Sequence, residues 1–86
     1  MLSNGRVSVG TVAVPIDGVY EQYARMILHN DDNTDAVYIG AAGVTTSTGL
    51  VLQKEQTIDI GIGPLEQLYA VSGKTGHTIS FLRQTI

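Results

Sequence analysis

The sequence contains no cysteine and no tryptophan, and it has only one phenylalanine and two prolines among 86 residues. Without cysteine the chain can form neither a disulfide nor a thiolate zinc site. Five Lys plus Arg residues and a net charge of −3 argue against the clustered basic face that nucleic-acid binding requires. We therefore expect no nucleic-acid partner and no cysteine-based staple.

Targeting signals are also lacking. No apolar run approaches the ~18 residues of a membrane span. Residues 1–6 do not open a basic segment followed by an apolar run, as a secretory signal would. The sequence predicts a protein that has no membrane partner.

The short length predicts one small domain with a thin core, since a chain of this size buries only roughly 60% of its surface. Small domains without disulfides are often reinforced by association with another chain. We expect an N-terminal arm over residues 1–6, a single domain over residues 7–86, and a homo-oligomer.

What the sequence does contain is a strand composition. Val, Ile and Thr supply 26 of the 86 residues, and β-branched side chains fit pleated strands and are stiff in helices. Ten glycines and short polar clusters separate the apolar runs at turn-like spacing. These patterns predict an all-β fold, a small antiparallel β-sandwich or barrel of six to seven strands, jelly-roll-like.

The strand boundaries follow from alternation and turn residues. The alternation of inward and outward side chains in the first predicted strand changes phase at Gly10, which indicates a bulge or a sheet corner. Residues 31–35 and 73–76 have turn composition and predict hairpins, whereas the ten small residues of 40–49 are long for a hairpin and compatible with a crossing between sheets. The predicted strands are 6–15, 23–30, 36–40, 50–52, 57–62, 66–72 and 77–84.

Two motifs resemble parts of ligand-binding sites. Gly73-Lys74-Thr75 ends like a phosphate-binding loop, but Leu68 stands where that motif needs glycine, so a plain turn is favoured. Oxygen ligands for calcium could come from an acidic cluster, but a solvated turn is favoured because Asp and Asn are also preferred turn residues. That cluster consists of Asp31, Asp32 and Asp35.

Catalytic patterns are weak. His29 and His77 are too few for a zinc site without cysteine. Ser72 or Ser80 could lie near His77, but the sequence predicts no helical layer to form a cleft around such a pair. The sequence therefore predicts no catalytic residue, no cofactor and no metal site, and a protein that is not an enzyme.

Apolar residues on the outer faces of the predicted strands are the more informative feature. If Ile27, Ile39 and Ala70 point inward, their neighbours point outward and form contiguous exposed apolar area, which is typical of a protein interface. The alternative is that alternation slips at bulges and these side chains fill the ends of a barrel. The predicted interface residues are Met26, Leu28, Tyr38, Tyr69 and Val71.

Several segments carry a family resemblance. Arg-Met-Ile-Leu-His-Asn at 25–30, Val-Tyr-Ile-Gly at 37–40, Gly-Val-Thr-Thr-Ser-Thr-Gly at 43–49 and Leu-Tyr-Ala-Val-Ser at 68–72 resemble short structural proteins of tailed bacteriophages, of the head-decoration or fibre-anchoring type. The resemblance covers about residues 25–82. Relatives carry Gly-Phe-Pro-Leu where this chain has Gly-Leu-Val-Leu at 49–52.

The resemblance implies a non-enzymatic virion protein, most simply a capsid decoration protein that binds the outer head surface and stabilises the shell. Its implied partners are copies of itself, as a trimer, and the major capsid protein, and it would be made in the host cytoplasm and located on the capsid surface. An alternative is a tail-fibre or baseplate module that binds a host glycan or receptor, although tryptophan platforms are absent. We expect the capsid to be contacted by arm residues Met1, Leu2, Ser3, Asn4 and Arg6.

Overall fold

The chain forms two antiparallel sheets of four strands each in a computed structural model that describes residues 1–85. The strands are β1 (Leu2–Val9), β2 (Val14–Ile16), β3 (Ala24–Asn30), β4 (Val37–Gly40), β5 (Leu50–Leu52), β6 (Thr57–Ile62), β7 (Leu68–Ser72) and β8 (His77–Thr85). Sheet A has the order β1-β8-β3-β6, and sheet B has the order β2-β7-β4-β5. The predicted all-β, antiparallel, two-layered fold is confirmed. Within residues 1–85 no helix is long and apolar enough to cross a membrane.

Most connections pass from one sheet to the other. Within residues 1–85, β4 and β5 are the only consecutive strands that pair with each other. The turns at 31–35 and 73–76, predicted as hairpins, therefore cross between sheets, while the loop at 40–49 closes a hairpin. The predicted strand 6–15 is two strands, because the chain leaves sheet A after Val9 and enters sheet B at Val14, as the phase switch at Gly10 indicated.

Residues 2–6 belong to sheet A, so the expected division into an arm and a domain after residue 6 is not found. Leu2 lies opposite Gln84 and Arg6 opposite Ser80 in the β1–β8 ladder. Gly5 lets this strand lie close to the core, since a Cβ there would be 3.1 Å from Cε1 of Phe81. The last residue of the predicted domain, at position 86, lies outside the described residues.

The core lies between the two sheets and corrects two of the predicted interface residues. Met26 and Leu28 are fully buried, and they lie opposite Ile60 and Ile58 in the β3–β6 ladder. Ile58 and Ile60 alternate with polar residues and pack against the core, so their partners on β3 face the core as well. Ile27 then points outward, the reverse of the expectation.

The outer face of sheet B is partly covered by the chain itself. Tyr38 and Tyr69 are half-buried, and Val71 faces outward opposite Tyr38 yet is only 4% exposed. The 41–49 loop folds back beside Tyr38, where a Cβ on Gly49 would come within 2.7 Å of the Tyr38 Cβ. Val71 is therefore not available as an interface residue, and the two tyrosines offer only part of their surfaces.

The two ends of the molecule differ. The polar end carries the connections 10–13, 31–36, 53–56 and 73–76, held together by bonds such as Asp31 N–H to the Thr78 carbonyl at 3.1 Å. The opposite end, called the apolar end below, carries the connections 17–23, 41–49 and 63–67 and the start of β1. There the Leu65 N–H donates to the Tyr20 carbonyl at 2.7 Å.

Candidate functional site

Asn30 ends β3 inside the polar end and is fully buried. Its Nδ2 lies within hydrogen-bond distance of three backbone carbonyl oxygens, those of Asp35 at 3.0 Å, Leu52 at 3.0 Å and Gln53 at 3.1 Å. Three acceptors around one atom fix the orientation of the amide, because only the NH₂ group can donate. One side chain thus joins the end of β3 to the 31–36 connection and to the end of β5 in sheet B.

The orientation of Asn30 also sets the tautomer of His77. Oδ1 of Asn30 must accept, so the Nε2 of His77, at 2.7 Å, carries the hydrogen. The Nδ1 atom then accepts from the Ser72 hydroxyl at 3.0 Å, and that hydroxyl accepts from the Lys74 N–H at 3.3 Å. Burial lowers the pKa of His77, against the opposing charge of Asp32, and the imidazole is neutral near pH 7.

The acidic turn binds a lysine. The Lys74 Nζ lies 2.7 Å from the Asp32 carboxylate and 2.8 Å from that of Asp35, and it donates to the Thr34 hydroxyl at 3.2 Å. These bonds lower the pKa of both carboxyls and raise the pKa of Lys74. The ammonium group lies where a calcium ion would have to sit between these two side chains. Asp31 points elsewhere and accepts from the Ser80 hydroxyl at 2.6 Å.

Metal binding finds no further support in the geometry. No group of three or more His, Asp or Glu side chains among residues 1–85 is arranged to hold a metal ion. His29 bonds to the Thr57 hydroxyl at 2.8 Å on the outer face of sheet A, whereas His77 is inside the polar end. The two histidines therefore do not share a site.

Ser72, His77 and Asn30 form a hydroxyl–imidazole–amide series of the kind that activates nucleophiles in hydrolases. Here all three side chains are almost completely inaccessible to solvent. Ser72 is only 1% exposed, so its hydroxyl presents almost no surface to a substrate carbonyl. The series stabilises the junction of the two sheets, and it satisfies polar groups that would otherwise be buried without partners.

A pH dependence of stability follows from the neutral His77. Its pKa is lower in the folded state than in the unfolded chain, so acid favours unfolding. The contribution of neutral His77 to the free energy of unfolding is complete above about pH 6.5, and it is lost as the pH falls from that value through the lower pKa of the folded state. We expect the melting temperature to fall between pH 7.5 and pH 5.5. Calorimetry of the wild type and of His77→Gln, which retains a donor and an acceptor, checks this. An equal fall in both proteins would contradict it.

A cleft of about 330 Å³ lies beside Tyr38, whose side chain is on the outer face of sheet B. Half-buried Tyr38 forms part of its wall. The other lining residues are Asp35, Ala36, Thr46, Ser72, Gly73 and Lys74. An aromatic ring beside a carboxylate, an ammonium and a hydroxyl can contact a small polar ligand through both a ring face and hydrogen bonds.

The apolar end exposes large apolar side chains from three separate parts of the chain. Leu65 is 67% exposed and has a φ of 64°, a left-handed conformation that leucine rarely adopts. Tyr23 is 63% exposed beside Gly63. The exposed apolar residues of this end are Met1, Leu2, Val19, Tyr20, Tyr23 and Leu65.

A charged pair lies beneath this surface. The Arg83 guanidinium stacks 4.1 Å from the centre of the Tyr20 ring, and its Nη1 is 3.5 Å from Oδ2 of Asp17. Arg83 is 3% exposed and points inward from β8. The Tyr20 hydroxyl donates to Oδ1 of Asp17 at 3.1 Å, and this bond to a carboxylate raises the pKa of Tyr20.

The predicted site residues are thus separated. Met1 and Leu2 lie at the apolar end, while Asn4 and Arg6 face outward along β1 and Ser3 is half-buried. Sequence reasoning missed Tyr20, Tyr23 and Leu65. They lie in irregular connections, where no alternation marks a side chain as exposed or buried, and the nearest signal was the turn at Gly63-Pro64.

No protein-family model matches this chain, and no significant match was found among curated proteins or solved structures.

Proposed function

We propose that the chain is a non-enzymatic structural protein of a bacteriophage virion, a capsid decoration protein that binds the outer head surface and stabilises the shell. In this proposal it is made in the host cytoplasm and associates with copies of itself, as a trimer, and with the major capsid protein. The burial of the Ser72–His77–Asn30 series favours a role without catalysis. A ligand that binds only the assembled lattice stabilises that lattice by mass action.

The order of the strands supports the proposal. β1-β8-β3-β6 facing β2-β7-β4-β5 is the order of a jelly roll, and this is the topology that we infer for the chain. Double-sheet jelly rolls occur in viral capsid and lectin domains, although the fold alone does not define a function.

The main support for the proposal is the exposure and the left-handed backbone conformation of Leu65. Its left-handed backbone conformation disfavours a branched apolar side chain, and most of that side chain lies in water. Neither feature helps the isolated domain, so a partner surface gives the best physical reason for a leucine at this position. We place the capsid contact at the apolar end, around Leu65 and Tyr23, in place of an arm.

The test uses a variant that spares the fold. Asparagine tolerates a positive φ, so Leu65→Asn removes the apolar side chain without backbone strain. We expect it to keep or slightly raise the melting temperature and to bind at least tenfold more weakly to capsid shells of the phage that encodes the chain. Co-sedimentation with those shells measures the binding.

Val12→Asn is the matched control, because Val12 is 75% exposed at the opposite, polar end. It should sediment with the shells as the wild type does. Undiminished binding of Leu65→Asn would place the contact elsewhere, and wild-type protein that never sediments with shells would contradict the decoration role.

A second candidate is a tail-fibre or baseplate module that binds a host glycan or receptor. The cleft beside Tyr38 favours it, since a ring face next to Asp35 and Lys74 suits a polar saccharide. A glycan array probed with the wild-type chain tests it, and signals that persist in Tyr38→Ala would remove the cleft from consideration.

A further inference from the structure

The four edge strands of the two sheets are not equally protected against pairing with another chain. Unpaired strand edges attract other strands, and proteins block them with very short strands, prolines or lysines. In sheet B both edge strands have three residues, and β2 also contains Pro15. In sheet A the edge strands are β1, with eight residues, and β6, with six, and neither contains proline or lysine.

Within residues 1–85, β1 pairs only with β8 and β6 pairs only with β3. Each strand therefore has one side of backbone N–H and C=O groups without a strand partner. An eight-residue edge is long enough to pair with all of β6. Each edge of sheet A carries one charged side chain, Arg6 or Asp59, but both edge strands are longer and less protected than those of sheet B. This difference suggests that sheet A is extended by another chain.

The charges on the two edges are complementary. Arg6 is exposed on the outer face of β1, and none of the ion pairs formed within residues 1–85 includes it. Asp59 is exposed on the outer face of β6, where it forms an ion pair with Arg25 of the neighbouring strand β3. Two β1 edges paired about Arg6 would bring Arg6 against Arg6, and two β6 edges paired about Asp59 would bring Asp59 against Asp59. Pairing of unlike edges avoids both repulsions.

The geometry points to self-association in which β1 of one copy pairs antiparallel with β6 of the next copy, with Arg6 opposite Asp59. This register places Val7 opposite Ile58 on the inner face, so two half-buried apolar side chains cover each other. Strands alternate in direction across sheet A, so β1 and β6 of one copy run in opposite directions. Neighbouring copies can then point the same way, and their apolar ends lie on one side of the assembly.

This pairing uses two different surfaces of each copy, so it forms a ring where the rotation closes. It rests on the proposed function only in taking the chain to associate with itself. The capsid contact at the apolar end is a separate surface, and it can fail or hold independently of the edges.

Charge reversal at the two edges tests the pairing. Light scattering behind a sizing column measures the mass at low micromolar concentration, and we expect the wild type to exceed the chain mass of 9.2 kDa severalfold. Arg6→Asp and Asp59→Arg should each give monomers, and the double variant R6D/D59R should recover the assembly. Exposed Lys54, which forms no ion pair within residues 1–85, provides the control Lys54→Asp, and this change should leave the mass unaltered.

Mixing the two single variants gives a sharper result. Each mixed contact then joins opposite charges, so an equimolar mixture should exceed the monomer mass although neither variant does so alone. A ring built only of mixed contacts contains an even number of copies, so the mixture should form pairs or even-numbered assemblies and not a trimer. A monomeric wild type, or an Asp59→Arg variant that keeps the full mass, would overturn the pairing. Shell binding by a monomeric Arg6→Asp variant would show that the capsid contact survives without it, whereas loss of shell binding in Leu65→Asn with an unchanged mass would concern the capsid contact alone.

Discussion

Replacing Asn30 with alanine should lower the free energy of unfolding by about 4 kcal/mol, since a buried group left without its hydrogen bond costs about 1–3 kcal/mol. The amide of Asn30 serves three carbonyl oxygens and accepts from the Asp32 N–H at 3.0 Å and from His77. Its loss would leave several of these buried groups without a partner at once. Equilibrium urea unfolding monitored by fluorescence of the four tyrosines measures the change.

Asn33 provides the matched control, because it is exposed in the same connection. Asn33→Ala should change stability by no more than about 0.5 kcal/mol. Asn30→Asp should be at least as damaging as Asn30→Ala, since a carboxylate cannot donate to the carbonyls of Leu52 and Gln53. A loss below about 1 kcal/mol in Asn30→Ala would show that water or neighbouring groups replace the amide.

The second large effect is expected at Asp17. Asp17→Asn should destabilise the chain by about 3 kcal/mol, because it leaves the buried Arg83 guanidinium without an opposing charge. Asp17 has a φ of 67°, which asparagine tolerates, and an amide oxygen can still accept from the Tyr20 hydroxyl. The substitution therefore removes the charge and little else.

The double variant Asp17→Asn with Arg83→Met separates charge from packing. Replacing both partners of a buried ion pair by uncharged groups is often nearly neutral, so most of the lost stability should return. Chemical unfolding of the wild type, both single variants and the double variant gives the coupling energy between the two residues. Independent, additive effects would contradict the coupling. Oδ2 of Asp17 and Nη2 of Arg83 have no hydrogen-bond partner within the described residues, so the expected coupling comes from the opposite charges.

The sequence was sufficient to predict a strand where apolar and polar residues alternate regularly along it. The alternation of Ile58, Ile60 and Ile62 predicted β6 with its boundaries. The phase switch at Gly10 predicted a bulge or a corner, and the chain changes sheet there. In β3 both faces are apolar, so the pattern could not distinguish Ile27 inward from Met26 inward. The choice is made by the strands that pair with β3, which lie more than 25 residues away in the sequence.

The turns show a similar limit. Asp and Asn at 31–35 and glycine at 73–76 correctly marked reversals of the chain, because their side chains and backbone suit turns. Turn chemistry is local, however, and carries no information about which sheet the next strand joins. Both turns were therefore predicted as hairpins, and both connect different sheets.

The sites were less predictable than the strands. Asn30 and His77 are 47 positions apart, and their contact depends on sheet order, which composition does not encode. The apolar end depends on side chains in irregular connections, whose exposure follows from the packing of three separate loops. Leucine and tyrosine next to glycine and proline turns are the sequence signal that could have drawn attention to the apolar end.

The positions of β7 and β8 also determine when the chain can fold. These are the last two strands to be synthesised, yet each lies inside its sheet, with β8 between β1 and β3 and β7 between β2 and β4. Sheet B cannot be completed until β7 has left the ribosome, and sheet A cannot be completed until β8 has done so. Loop closure over such separations makes strand pairing slow. During synthesis the earlier strands therefore remain without their central partners, and we expect chaperone binding to the nascent chain to cover their unpaired edges until β7 and β8 emerge.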